Sequence, residues 1–193
     1  MKNIAILASG TGSNANEVAK YFAISDDVNV SIILTNNPQA GVLQVAERRF
    51  LPSVVISKQG LQKGDLLKIL NALQIDLVVL AGFLLMIPPE VVEAYEGRIV
   101  NIHPALLPKY GGKGMYGMRV HEAVSASGDM ETGITIHYVN ENYDEGDIIA
   151  QYKVPIKAHE DPESIREKVQ ELEHKYYPKV IEKVVKGKSK VQY

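Results

Sequence analysis

Asn3-Ile4-Ala5-Ile6-Leu7-Ala8-Ser9-Gly10-Thr11-Gly12-Ser13-Asn14 is an apolar run of strand length that breaks into a glycine loop and then opens a helix. The run follows a single lysine, and its glycines arrive too soon for a signal peptide, so it reads as a buried first strand. Working outward, similar runs recur at Val28 to Leu34, Val54 to Ile56, Leu77 to Leu80 and Ile99 to Ile102. Helical patterns fill most gaps, at Asn14 to Phe22, Val42 to Arg49, Leu61 to Leu73 and Pro88 to Tyr95. Strands alternating with helices predict a parallel sheet covered on both faces and joined by right-handed crossovers. After residue 130 the rhythm changes. Thr132 to Val139 and Ile148 to Pro155 are joined by a short acidic segment with no helix, so they are expected to be antiparallel. Asp161-Pro162 then opens a long helix with an apolar stripe of Ile165, Val169, Leu172, Tyr176, Val180 and Val184, which Pro178 is expected to kink or split. The polar tail after Gly187 is expected to fray. The fold class is therefore α/β: an open, mostly parallel twisted sheet with helices on both faces, antiparallel strands toward the C-terminal half, and one domain over 1–193.

The glycine loop carries the first chemical reading. Glycines allow a tight turn, and a helix amino terminus offers free N–H groups and a positive dipole to a phosphate. Gly10, Gly12 and Ala15 also fit a dinucleotide fingerprint, but Thr35-Asn36-Asn37 stands where that fold needs an acidic residue for the ribose. With no Walker lysine either, the loop suits a single phosphomonoester. A glycine turn capped by Ser13 or Asn14, with no ligand, is the plainer alternative.

The second reading rests on Ile99-Val100-Asn101-Ile102-His103-Pro104-Ala105-Leu106-Leu107-Pro108. Asn101 and His103 are two residues apart on a strand, so their side chains share a face, and the prolines turn the chain away just beyond. An amide donor beside a ring that titrates near neutrality is acyl-transfer equipment. A strand-ending Asn and a turn His are the plain account. Their place at the carboxyl end of a strand, on the same edge as the glycine loop, argues for a site. His121 and His174 fall on helices, His137 within a strand and His159 in a loop; spacing gives none of them a role. Asp144, by spacing, is one residue of a solvated acidic turn.

The composition narrows the classes. The 193 residues are 46% hydrophobic, enough to bury a real core, and 21 Lys+Arg against 23 Asp+Glu leave a net charge of -2. That balance disfavours a nucleic-acid surface and favours small anionic ligands. With no cysteine, disulfides, thiolate ligands and a cysteine nucleophile are excluded; the composition is consistent with a cytoplasmic protein. No stretch approaches the roughly 20 apolar residues that cross a bilayer, and no metal motif is present.

Taken together the motifs resemble the phosphoribosylglycinamide formyltransferases, folate-dependent enzymes of purine synthesis with a Rossmann-type fold. The resemblance runs through Gly10-Thr11-Gly12-Ser13-Asn14, Leu80-Ala81-Gly82-Phe83, Asn101-Ile102-His103-Pro104, Leu106 to Tyr110, Gly133 to His137, Tyr143-Asp144-Glu145-Gly146 and Glu173-His174. It implies one-carbon transfer from 10-formyltetrahydrofolate as co-substrate to the amine of 5-phosphoribosylglycinamide, without a metal. The implied partners are these small molecules, with neither nucleic acid nor membrane; oligomeric state is left open. Residues 1–100 would form a phosphate-binding half and 101–193 a catalytic and folate-binding half. Asn101, His103 and Asp144 would be catalytic, with Asp144 raising the His103 pKa so that the imidazolium exists at neutral pH. Gly10, Thr11, Gly12, Ser13 and Asn14 would hold the ribonucleotide together with Gln170, Glu171, Leu172 and Glu173. Leu84, Leu85, Met86, Ile87 and Asn101, with Asn140, Glu141, Asn142, Tyr143 and Asp144, would hold the folate.

The chain also departs from the family. Some members carry a basic residue where Leu85 stands, and Lys58 and Lys63 are both in range for the family's other folate-binding cation. Gly111 to Gly117 is longer and richer in glycine than in some members and is expected as a mobile lid over the site, its lysine either approaching the phosphate or, as is commoner for a loop cation, solvated. Related formyl-handling enzymes that hydrolyse formyltetrahydrofolate, or act on methionyl-tRNA, share the Asn-x-His-Pro segment but are longer chains with an added domain. A nucleotide-binding module without catalysis would need the glycine loop but neither His103 nor Asp144.

Overall fold

In the computed structural model, which describes residues 1–187, the apolar runs form strands β1 (Lys2–Leu7), β2 (Val28–Thr35), β3 (Ser53–Val55), β4 (Leu77–Leu80), β5 (Ile99–His103), β6 (Glu131–Tyr138) and β7 (Ile148–Pro155). The helices are α1 (Ser13–Phe22), α2 (Val42–Arg48), α3 (Lys58–Gln62), α4 (Asp65–Ala72), α5 (Pro89–Ala94), α6 (Met118–Ser127) and α7 (Pro162–Val185). The tail expected to fray beyond Gly187 lies outside the described residues. All seven strands join one sheet in the order β3-β2-β1-β4-β5-β6-β7. The first five pair in parallel, and β6 is antiparallel to both β5 and β7, as the loss of alternating helices after residue 130 predicts.

The period of two along each central strand sorts its side chains into two cores. Ile4, Ile6 and Ala8 face one layer, built from α1, α2 and α7, with Val124 of α6. Ala5 and Leu7 face the other, where Leu61 of α3, Leu66 and Leu70 of α4 and Val91 of α5 pack. Burial on both faces is why these strands read as continuous apolar runs. Among the described residues no helix is long and apolar enough to cross a membrane.

Two local expectations need correction. Leu61 to Leu73 reads as one helix, but the chain makes two. Ser57 Oγ accepts the Gly60 N–H at 3.0 Å and starts α3 early, and Gly64, at φ 75, ends it before Asp65 opens α4. Pro178 does not split α7, which runs unbroken from Pro162 to Val185. A proline there removes one helical N–H and crowds the carbonyl four residues back, but Pro178 is buried beside Tyr177, Val180 and Ile181, and packing on that face carries the helix through. The buried stripe shifts with it: Leu172, Tyr176 and Val184 are only half-buried, and Tyr177 and Ile181 take their place.

Tyr177 is the bolt between α7 and the sheet. It is fully buried, and its hydroxyl donates to the Leu80 carbonyl at 2.7 Å, with the Val100 carbonyl at 3.3 Å. Tyr177→Phe keeps the packing and deletes the hydroxyl, so it should lower unfolding free energy by about 1–2 kcal/mol. Urea denaturation measures this; a midpoint unchanged from the parent would mean the bond contributes nothing.

Candidate functional site

The sheet reverses its order between β1 and β4, and parallel sheets bind ligands in the crevice beyond their carboxyl ends at such a point. A cleft of about 530 Å³ opens there. Its walls are Asn14 after β1, Gly82 to Ile87 after β4, Asn101 to Pro104 at the end of β5, Gly112 to Gly117 and Arg119, His121 of α6, His137, Val139 to Asp144, and Glu173 of α7.

Strand register brings the polar groups of β5 and β6 together. Asn101 pairs with His137 across β5 and β6, and His103 with Thr135. The Asn101 amide nitrogen lies 3.1 Å from His137 Nε2, while His137 Nδ1 lies 2.8 Å from the Tyr138 carbonyl. A carbonyl only accepts, so His137 carries its proton on Nδ1, and the Nε2 of a neutral ring receives one amide N–H of Asn101. The second N–H of that amide has no hydrogen-bond partner among the described residues. By the same logic His103 donates from Nε2 to the Tyr110 carbonyl at 2.7 Å, which leaves the Nδ1 lone pair of the neutral ring free. The Asp144 carboxylate stands 3.5 Å from His103 Nδ1 and 3.6 Å from His137 Nε2, near enough for charge pairing but too far for a good hydrogen bond. The Gly112 N–H, at 2.9 Å, holds its Oδ2. Asp144 itself is in the left-handed region at φ 57, and a side chain at Gly146 would run into the Tyr138 carbonyl. The acidic turn is therefore built, not merely solvated.

The electrostatics correct one expectation. Burial lowers the His103 pKa and outweighs the opposing pull of Asp144 and of the Tyr110 carbonyl, so the ring without ligand sits below the usual histidine value, not above it. Burial pushes the Asp144 carboxyl up, but the His137 side chain, the His103 charge and the Gly112 N–H together hold it below the usual aspartate value. His121, buried and facing the cleft, is pushed down to about 4 by burial and by Arg166, so it is a neutral ring.

At Asn14 and Glu173, which also line the cleft, the glycine loop meets α7. Gly12 adopts φ 79, and a Cβ there would lie 2.8 Å from Val42. It starts α1, whose first N–H groups have no helical partner. Asn14 Nδ2 donates to Glu173 Oε2 at 2.9 Å, and Gln170 Nε2 to Ser13 Oγ at 3.3 Å. Burial pushes the Glu173 carboxyl up to about 7, against the opposing Asn14 amide.

The structure thus gathers Asn14, Leu84, Leu85, Met86, Ile87, Asn101, His103, Asn140, Glu141, Asn142, Tyr143, Asp144 and Glu173 around one cleft. Leu84 and Met86 are half exposed, as residues serving only the core are not. Gly10 and Thr11 are exposed beyond the cleft wall, and Gly12, Ser13 and Gln170 border Asn14 and Glu173 without lining it. Glu171 points to solvent, about 100° round the helix from Gln170, and Leu172 packs on the core; neither reaches the cleft. Lys58 and Lys63 are exposed on and just after α3 and do not line the cleft. The cations that do are Lys113 and Arg119, the latter with its guanidinium 5.2 Å from the centre of the Tyr116 ring. Spacing gives no signal for Arg119, a single basic residue in the first turn of a helix. His121 and His137 also line the cleft, although their positions on a helix and a strand read as structural.

A family model described as formyl transferase matches residues 2–181. The chloroplastic phosphoribosylglycinamide formyltransferase of Vigna unguiculata is 42% identical over 189 residues, which are 94% of this chain and 60% of that protein. The chain thus spans about three-fifths of the length of that plant relative. The phosphoribosylglycinamide formyltransferase of Bacillus subtilis is 33% identical over 191 residues, 96% of this chain and 95% of that one. Among solved structures, glycinamide ribonucleotide transformylase 1 of Geobacillus kaustophilus superposes with a TM-score of 0.85 at 36% identity, covering 94% of this chain and 97% of that one.

The Glu173 environment has a measurable sign. A carboxyl whose folded pKa is about 7 against an ordinary 4.5 keeps its proton in the folded state while the unfolded chain loses it, so its contribution to stability falls as pH rises from about 4.5 through 7. The cost of the ionised form at pH 8 is on the order of 3 kcal/mol. Glu173→Gln should therefore gain stability relative to the parent between pH 5 and 8. A stability difference that stays flat across that range would show the carboxyl to be ordinary.

Proposed function

The chain belongs to the formyl transferase family, and from that premise we propose that it transfers the formyl group of 10-formyltetrahydrofolate to the amine of 5-phosphoribosylglycinamide, a step of purine synthesis. The observation that carries this is one cleft lined by Asn101, His103 and Asp144 and also by Asn14 and Glu173, where the glycine loop meets α7. A transferase must hold two substrates at once, and one cleft bordered by both sets of groups can seat acceptor and donor together. The names of relatives that match most of their own length, such as the Bacillus subtilis protein, agree. A cytoplasmic location belongs to the same proposal, although the Vigna relative is by name chloroplastic.

The folate suits the remaining wall. Leu84, Leu85, Met86 and Ile87 offer an apolar slot, the turn from Asn140 to Asp144 offers main-chain N–H and C=O groups to a pterin edge, and Lys113 and Arg119 offer charge to carboxylates. This co-substrate supplies the activated formyl carbon.

The protein's own groups account for the rest. As the amine adds and the carbonyl electron pair moves to the formyl oxygen, the free N–H of Asn101 donates to that oxygen. His103 begins neutral, with its Nε2 proton held by Tyr110, so Nδ1 takes the proton that the attacking nitrogen must lose. Asp144 then stands beside a full positive charge and stabilises it. When the carbon–nitrogen bond to the folate breaks, the same proton passes to the departing nitrogen, directly or through water. No enzyme nucleophile takes part. The proton arrives during the reaction and is not stored on the ring beforehand, a sequence that the low His103 pKa supports.

The expected kinetics follow from the division of labour. His103→Gln and Asp144→Asn should each lower kcat by at least about 100-fold while leaving the ribonucleotide Kd, read by calorimetry, within a few fold. Replacing Ser13 and Asn14 by alanine should do the reverse, weakening ribonucleotide binding by roughly tenfold or more. Full turnover in both catalytic variants would end the mechanism, and an unchanged Kd in the loop variant would put the phosphate elsewhere.

A further inference from the structure

The catalytic imidazole is held from behind by a residue with an unusual backbone. Tyr110 lies at φ 57, in the left-handed region that bulky residues rarely enter. That conformation aims its carbonyl at His103 Nε2, 2.7 Å away. The chain before it is anchored, since the Leu107 N–H donates to buried Thr135 Oγ1 at 2.9 Å and Gln151 donates to the Leu107 carbonyl at 2.9 Å. Between Leu107 and the carbonyl that matters, something else must hold the strained residue. The Tyr110 hydroxyl donates to Asp129 Oδ2 at 2.8 Å, and the neighbouring Lys109 ammonium lies 3.2 Å from the same oxygen. Asp129 lies just beyond α6, before β6, and does not line the cleft.

We propose that Asp129 is a positioning residue for His103: by gripping the Tyr110 hydroxyl and Lys109 it keeps the Tyr110 carbonyl on His103 Nε2, which fixes the proton there and leaves Nδ1 facing Asp144 and the substrate. The inference rests on the formyl-transfer reading only for its kinetic consequence; the geometry of the ring is a property of the free protein. Without the grip, Tyr110 relaxes toward negative φ and its carbonyl swings away. The ring then loses the acceptor that selects its tautomer and favours its protonated form.

The test reads the ring directly. Long-range proton–nitrogen NMR of the full chain without ligand, titrated from pH 4 to 9, reports the tautomer and pKa of His103, with the signals assigned by their loss in His103→Gln. The groups facing the ring are Asp144 from the turn before β7, His137 from β6 and His121 from α6, and the test variants leave all of them intact. The parent should hold its proton on Nε2. Asp129→Ala and Tyr110→Phe, which keeps the aromatic ring, should each lower the His103 pKa by roughly half a unit or more and admit the other tautomer. The double variant should do little beyond either single one. In turnover both should lose about threefold to tenfold in kcat with KM within twofold. The Asp129 side chain is 27% exposed, so its loss is compatible with a folded protein. An unchanged tautomer and pKa in both variants would overturn the proposal, whatever happened to stability or rate. Turnover unaffected by His103→Gln would instead overturn the formyl-transfer mechanism and leave the NMR result standing.

Discussion

A buried imidazole and a half-buried carboxylate, held 3.5 Å apart, set the terms for the rest of this molecule. At that separation the pair neither forms a strong hydrogen bond nor escapes its mutual field. Burial lowers the His103 pKa and keeps the ring neutral until a proton arrives, and Asp144 makes the charged ring tolerable once it has one. Such a balance requires rigid surroundings. On one side stand β5 and β6 with their antiparallel register, and on the other a turn whose glycine and left-handed aspartate admit few alternatives.

The same fold shapes the Glu173 side of the cleft by another route. Reversal of the sheet order between β1 and β4 opens a crevice along the carboxyl ends, and α7 packs on the sheet with Tyr177 bonded to Leu80 at the end of β4 and to Val100 near the start of β5. Glu173, one turn before, therefore has a fixed position, joined to the glycine loop through Asn14. Its carboxyl is costly to ionise in that setting. A hydroxyl donor placed against the carboxylate would offset part of that cost.

Much of this was legible in the residues. The doubly covered sheet followed from strand-length apolar runs separated by helical ones, and the antiparallel end from the missing helix after residue 130. The Asn101 and His103 pair followed from the period of a strand. What spacing did not reveal depends on contacts distant in sequence. Asp144 looks like one acid among several until the chain folds and sets it against two histidines; only the family likeness singled it out. Arg119 has no motif, and Lys58 and Lys63 were attractive only because they carry charge in the expected region. The single helix expected from Leu61 failed at Gly64, whose left-handed conformation ends α3. The His103 pKa lies below the usual value and not above it because burial of the ring, which strand spacing does not reveal, outweighs its pairing with Asp144. Glu171 and Leu172 do not line the cleft, because helix periodicity turns these neighbours of Glu173 away from it.

The most direct measurement is the absorbance change of 10-formyltetrahydrofolate, or of its dideaza analogue, with and without 5-phosphoribosylglycinamide. Turnover that requires the ribonucleotide is the predicted result and ties both sets of cleft residues to one reaction. Folate turnover at the same rate in its absence would make water the acceptor and contradict the account. No turnover under either condition would reduce the cleft to a binding site.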